Sequence, residues 1–162
     1  MGTTSKRQKE AKEELDRKLL LSQPNRELLE DLAIVCAKNP SPEATFQYAF
    51  ALSKSPEPSE LRYAVTILDG LVNDGYEHQI DCMYGAATAL YLLGEYDDAR
   101  LRCEAILRSQ PSSRIAKEMH LAAIESEEER QRQQLKQAAV GSVAVAAAVG
   151  VAAGVVSLMM KK

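Results

Sequence analysis

No stretch of the chain alternates apolar and polar residues with period two over a useful length, and every apolar pattern recurs at three and four residues. Residues 5–21 are polar nearly all round, with an apolar end at Leu15, Leu19, Leu20 and Leu21, which predicts a weakly held helix or arm. Pro24 separates it from RELLEDLAIVCAK, where Leu28, Leu29, Leu32 and Val35 or Cys36 predict one apolar face and Asn25 the cap. NPSP at 39–42 reads as a turn. EATFQYAFALSK follows and is broken by SPEPS at 55–59. Ser59 is the expected cap of ELRYAVTILDGLVND, whose stripe is Leu61, Ala64, Val65, Leu68 and Val72. Gly75 ends that helix. EHQIDCMYGAATALYLL is ended by Gly94. EYDDARLRCEAILRS turns Ala99, Cys103, Ile106 and Leu107 inward. Ser112 is the expected cap of a last polar-to-charged helix, amphipathic through Ile115, Met119, Ala122 and Ala123. Its second half, almost wholly charged or Gln, reads as a solvated helical stalk.

Helix–turn–helix units with short turns call for a repeat search. The stretch from Ile80 to Pro111 fits the 34-residue tetratricopeptide pattern. With Pro111 at pattern position 32, Ala87 takes position 8 and Ala99 takes position 20. Met83, Ala86 and Leu90 fill the first helix's apolar positions, and Cys103 and Ile106 the second's. Small residues at Ala87 and Ala99 let two antiparallel helices approach closely, which a generic helical hairpin does not require. A poorer match lies upstream, with Ala49, Leu52, Ala64, Leu68 and Leu71 and about three extra residues in the SPEPS turn. Two repeats make a short curved stack whose ends need covering, and residues 25–37 and 112–130 are the natural covers. The expected fold class is therefore all-α: a tetratricopeptide-like bundle of two repeats plus flanking helices, with a C-terminal transmembrane helix.

That last element is the run from Ala138 to Met160, where no side chain is charged. Twenty-three residues at about 1.5 Å each span roughly 34 Å, enough for a bilayer core of about 30 Å. Gly150 and Gly154 form GVAAG, a spacing that lets two helices pack closely; the same residues serve equally well simply to lower hydrophobicity. Lys161 and Lys162 follow, so insertion is expected after translation, as a tail anchor with residues 1–137 on the cytosolic side. The expected organisation is a charged extension or arm (1–22), a helical domain (23–130), a polar stalk (131–137), the anchor (138–160) and a basic tail (161–162).

Composition adds exclusions. The chain has 162 residues and a formal charge of −3. Residues 1–137 hold 18 Lys and Arg against 23 Asp and Glu, a net of −5, which argues against nucleic acid. Cys36, Cys82 and Cys103 lie far apart without metal-ligand spacing, so reduced buried thiols are expected. The charged N-terminus has no apolar signal region, and Lys6 stands where a myristoylation motif needs Ser or Thr. No phosphate loop, GxSxG or HExxH is present, so neither catalysis nor a cofactor is expected. His78 is expected to be exposed and His120 to be a partly buried structural residue.

The layout of cap helix, divergent repeat with TFQYAF, repeat ending in LGEYDDARLRCEAILRSQP, helix beginning RIAKEM and small-residue anchor resembles the mitochondrial fission 1 protein family over roughly residues 25–162. The most telling pieces are Phe46–Phe50, the Leu61–Leu68 run, Glu95-Tyr96 with Ala99, and Gln110-Pro111. The resemblance implies an adaptor on the cytosolic face of the mitochondrial outer membrane, and on peroxisomes, that recruits a dynamin-related GTPase or its adaptor proteins and promotes organelle division. It also implies a concave partner-binding groove that an N-terminal arm can occupy. Tyr48 and Tyr91 fall on positions that are tyrosine in the family, and repeat geometry adds Phe46, Phe50, Tyr84 and Thr88. Tyr48 reads equally well as a core residue. Homo-oligomerisation stays open. The sequence departs from the family in the charged segment 1–22 and in a short connection at 38–42, and Leu19–Leu21 would either enter the groove or cap the bundle. The alternative is a membrane-anchored receptor or cochaperone. Repeats of that class clamp a carboxylate with Lys and Asn at positions where this chain has Tyr84 and Thr88.

Overall fold

The computed structural model describes the backbone of residues 2–160 and the side chains of residues 2–141. Among the described residues there are seven helices and no strand: α1 (Gly2–Leu21), α2 (Arg26–Lys38), α3 (Pro42–Leu52), α4 (Pro58–Asn73), α5 (Gln79–Leu92), α6 (Tyr96–Ser109) and α7 (Arg114–Met160). The chain falls into two units, Met1–Glu127 and Glu128–Lys162, the boundary lying within α7.

In the first unit, α3–α4 and α5–α6 are the two helical hairpins, packed side by side through α4 and α5. Local chemistry sets the ends. Asn25 accepts from the Leu28 N–H at 2.7 Å and caps α2, and Ser41 accepts from Ala44 at 3.1 Å and caps α3. Gly75 and Gly94 each stop a helix at φ +78, a conformation that costs any residue with a Cβ. Two expected caps are displaced. Pro58 opens α4, so Ser59 sits inside the first turn, and Glu57 is the cap position without a side-chain bond. For α7 the cap is Ser113, which accepts from Ala116, rather than Ser112.

The core is aliphatic and continuous along the hairpins. Ala49, Leu68, Leu71, Cys82 and Ala86 form one cluster, and Leu29, Leu52, Leu61, Ala64 and Ala89 another. α2 covers one end of the stack. Leu29 is buried, with Leu32, Ala33 and Cys36 half-buried, while Leu28 and Val35 are 46% and 52% exposed. Of the expected stripe, Leu29, Leu32 and Cys36 face inward, whereas Val35 is exposed and Leu28 lies at the edge of a cleft beside Phe46 and Phe50. The opening of α7 supplies Ala116, Met119, Ala122 and Ala123 to the core, and Ile115 points outward. Glu125 and Ser126 are also buried, further along α7 than a purely solvated second half would allow. Across the hairpins, Arg102 on α6 holds both carboxylate oxygens of Asp69 on α4. Arg26 grips Glu60 the same way at 2.7–3.0 Å, tying the start of α2 to the start of α4. His78 is exposed and His120 half-buried, its Nε2 3.2 Å from Glu104.

In the second unit, α7 continues as backbone helix to Met160, and the side chains from 131 to 141 are exposed. Among the described residues no helix is long and apolar enough to cross a membrane. The run expected to do so lies outside the described side chains from residue 142 onward, together with Gly150, Gly154, Lys161 and Lys162.

Gly94 and the helical Gly70 should respond oppositely to alanine. Gly94→Ala forces a Cβ into a left-handed turn and is expected to lower stability by about 1 kcal/mol. Gly70 has nothing within 4 Å of a new Cβ, so Gly70→Ala is expected to raise stability by up to about 1 kcal/mol. Urea midpoints of the two variants measure both signs.

Candidate partner-binding groove

α5 is the helix that makes a groove. From Gly85 to Ala89 its sequence is GAATA, and all five residues are buried. A Cβ added at Gly85 would lie 2.8 Å from Leu68 Cδ1 and 3.1 Å from Phe50 Cδ2, so α3 and α4 both close on a helix with almost no side-chain bulk there. The larger residues of α3 and α5 are Phe46 and Phe50 on the first and Tyr84 and Tyr91 on the second.

These residues fall in two regions, one open and the other covered. The open one is a cleft of about 440 Å³ lined by Phe46, Phe50, Leu21, Leu28, Pro24 and Lys54, among others. Phe46 and Phe50 meet at 5.4 Å with their rings tilted, Tyr76 and His78 extend the aromatic cluster, and Lys54 Nζ sits 4.9 Å over the Phe50 ring. The Tyr76 hydroxyl donates to Glu43 at 2.6 Å, which pushes that phenol up to about 12.

The other region is covered by α1. Leu15 and Leu19, one turn apart, are buried in a single cluster with Ala87, Leu90, Tyr91, Ala99, Cys103, Met119, Ala122 and Ala123. The Tyr91 hydroxyl donates to Asp16 Oδ1 at 2.6 Å and lies 3.2 Å from the Ser126 hydroxyl, so its burial leaves no polar atom unmet. Burial, then the bond to Asp16, pushes this phenol far above its usual range. Tyr96 meets the Tyr91 ring edge-on at 5.4 Å. Lys18 reaches Glu118 on α7 at 3.0 Å.

The six expected site residues therefore separate. Phe46 and Phe50 line the open cleft. Tyr91 is buried in the cluster that Leu15 and Leu19 join, with Tyr84 packed against it; burial pushes the Tyr84 phenol up to about 12. Thr88 is fully buried, and its hydroxyl donates to the Tyr84 carbonyl at 2.9 Å, so it shapes α5 rather than offering a contact. Tyr48 packs with Leu29, Leu52, Leu61 and Ala64, away from the other five. Periodicity marked Leu15 only as part of the apolar end of α1, and Asp16 and Ser126 not at all. The i, i+4 pair Leu15 and Leu19 was the one signal available; nothing marks Asp16 out from the neighbouring charges. Leu20 and Leu21, grouped with Leu19 as entering the groove or capping the bundle, are 68% and 75% exposed, Leu21 at the edge of the open cleft. Among the described residues no cluster of His, Cys, Asp or Glu could hold a metal.

No family model matches the chain. Curated relatives do. The mitochondrial fission 1 protein of Eremothecium gossypii is 30% identical over 111 residues, which cover 67% of this chain and 70% of that protein. The chain belongs to the mitochondrial fission 1 protein family. The family's protein from Debaryomyces hansenii is 26% identical over 99 residues and that from Yarrowia lipolytica 35% over 71. The chain spans 65% of the first of these and 46% of the second. Among solved structures, Saccharomyces cerevisiae Fis1 superposes with a TM-score of 0.64 at 18% identity, over 72% of this chain and 95% of that one. Yeast Fis1 in complex with an Mdv1 fragment gives 0.59 at 20%, over 68% and 88%. These likenesses show the tetratricopeptide-like helical fold of the family in this chain.

Two consequences of the α1 contact can be measured. Tyr91→Phe removes the bond to Asp16; because Asp16 is largely exposed, the loss is about 1 kcal/mol, or roughly fivefold in the open population of α1. Trypsin cleavage at Lys12, Arg17 and Lys18 should quicken by about that factor relative to the unaltered chain. The second concerns alkali. Tyr84 and Cys103, both raised to about 12 with burial the leading cause, ionise more readily unfolded than folded. Their contribution is complete below the ordinary phenol and thiol range and fades as pH climbs toward 12. Stability should be level from about pH 6 to 8 and fall above about pH 9, in thermal melts across that range.

Proposed function

We infer that this chain is a membrane-anchored adaptor of mitochondrial division, facing the cytosol from the mitochondrial outer membrane and from peroxisomes. One observation carries the reading: Phe46 and Phe50 of the first repeat line an open apolar cleft, while Leu15 and Leu19 of α1 cover Tyr91 of the second. Nothing in the cleft is arranged for chemistry; it offers aromatic and aliphatic surface with a cationic rim at Lys54. Such a surface suits the apolar face of a partner helix. The partner class is a coiled-coil adaptor of a dynamin-related GTPase, or the GTPase itself; yeast Fis1 has been solved with a fragment of Mdv1 that contains an N-terminal extension and coiled-coil domains. The run 138–160 serves as the single membrane span, with Gly150 and Gly154 available for close helix packing and Lys161 and Lys162 beyond it. Holding the groove at a surface raises the local concentration of whatever it captures.

α1 sets a limit on that capture. A partner that needs Tyr84 or Tyr91 must displace Leu15 and Leu19, whereas one that needs only Phe46 and Phe50 need not. Loss of the protein is expected to elongate mitochondria, and an N-terminally tagged chain to decorate their outer membrane. Rescue by the Phe46→Ala/Phe50→Ala double variant should fail while its membrane localisation persists. Full rescue by that variant, or endoplasmic reticulum staining of the tagged chain, would rule the reading out.

A further inference from the structure

The first turns of α1 are used neither by the groove nor by the core. Residues 2–9, GTTSKRQK, carry three cations and no carboxylate, whereas residues 10–137 carry fifteen Lys and Arg against twenty-three Asp and Glu. The helical domain is thus an acidic body with one basic tip. Lys6, Arg7 and Lys9 are exposed. The carboxylate beside them is Glu10, 3.8 Å from Lys6, in a pair whose two side chains are both mostly exposed to solvent.

The direction of α1 decides where that tip lies. Lys18 meets Glu118 at 3.0 Å, while Asp16 is joined through the Tyr91 hydroxyl to Ser126, eight residues further along α7. Leu15 shares a cluster with Met119, Ala122 and Ala123. As numbers fall along α1 they rise along the opening of α7, so the two run antiparallel. The basic tip therefore lies at the end of the domain from which α7 leaves, at Glu127. From there ten residues, 128–137, lead to the first residue of the apolar run. As helix those ten cover about 15 Å.

We propose that the basic tip of α1, Lys6, Arg7 and Lys9, docks on anionic lipid headgroups of the membrane in which the chain is anchored. This rests on reading 138–160 as the span. The occupant follows from charge and tether length. Glu127, Glu128 and Glu129 at the domain exit, and residues 10–137 with a net of −8, are repelled by an anionic leaflet, and the tip is the part of α1 with the opposite sign. Each Lys or Arg beside such a leaflet is worth roughly fivefold in binding, so three together give on the order of a hundredfold. Docking also joins the two ends of the domain's regulation: a tip held on lipid keeps Leu15 and Leu19 seated over Tyr91.

The chain contains no tryptophan, so Thr3→Trp introduces a single reporter in the exposed first turn. The full chain carrying it is reconstituted in vesicles of phosphatidylcholine alone, or with about a third phosphatidylserine. Headgroup-labelled quencher lipid should quench the reporter and blue-shift its emission in the anionic vesicles and not in the neutral ones. Raising the salt to about 1 M should abolish the quenching without any change of sequence. Lys6→Glu/Arg7→Glu/Lys9→Glu should abolish it at low salt, and the Lys6→Arg/Lys9→Arg chain should retain it. Equal quenching in neutral vesicles, or none in anionic ones, overturns the proposal. Carbonate extraction of the same vesicles separates the two readings. Release of the chain would overturn the span and the docking together; retention with an unquenched reporter would overturn the docking alone.

Discussion

The close approach that α5 permits is the constraint on which the domain depends. Five consecutive small residues, Gly85 to Ala89, leave this helix thin on every side at once. α4 can then bring Leu68 against it, α3 can bring Phe50, and Ala99 and Cys103 of α6 complete the packing. Neighbours at that spacing gain dispersion contacts that a bulkier helix would deny them. The larger residues flanking the small stretch, Tyr84 and Tyr91, pack in the cluster that α1 covers.

A groove with an apolar wall does not stay empty when a tethered amphipathic segment is near. α1 is mostly charged, and by itself it has little reason to dock. Two leucines one turn apart are enough, because they find a surface already shaped for aliphatic side chains. The contact also resolves a polar problem. A tyrosine buried to the degree of Tyr91 would lose its water partners, and Asp16 and Ser126 replace them from two different helices. The groove's occupancy is therefore linked to a hydrogen bond as well as to apolar area, and an invading partner has to offset both.

Charge is distributed along the same axis. The helical body is acidic, and its cations are mostly engaged in pairs such as Arg26–Glu60, Arg62–Glu95 and Arg102–Asp69 that bridge neighbouring elements. The first two turns of α1 break this pattern with an unbalanced positive end. The helix that fills the groove is thus also the one whose charge differs from the rest of the domain, which couples a surface signal to an internal contact.

The sequence by itself determined the helical class, the hairpin order and the small positions at Ala87 and Ala99, because helical periodicity and steric limits at close approach are written in consecutive residues. It also marked Asn25, Gly75 and Gly94 as boundaries, since caps and left-handed turns are local. On α2 it left Val35 and Cys36 as alternatives, because both satisfy the periodicity, and only the packing of Cys36 against Thr45 of α3 separates them. Tertiary structure alone decided that Tyr48 faces the core while Tyr91 lies under α1, that Leu19 is buried while Leu20 and Leu21 are not, and that Asp16 meets a residue seventy-five positions away. Those outcomes depend on the relative placement of helices distant in sequence, and the pattern within any one helix carries no record of which neighbour will cover it.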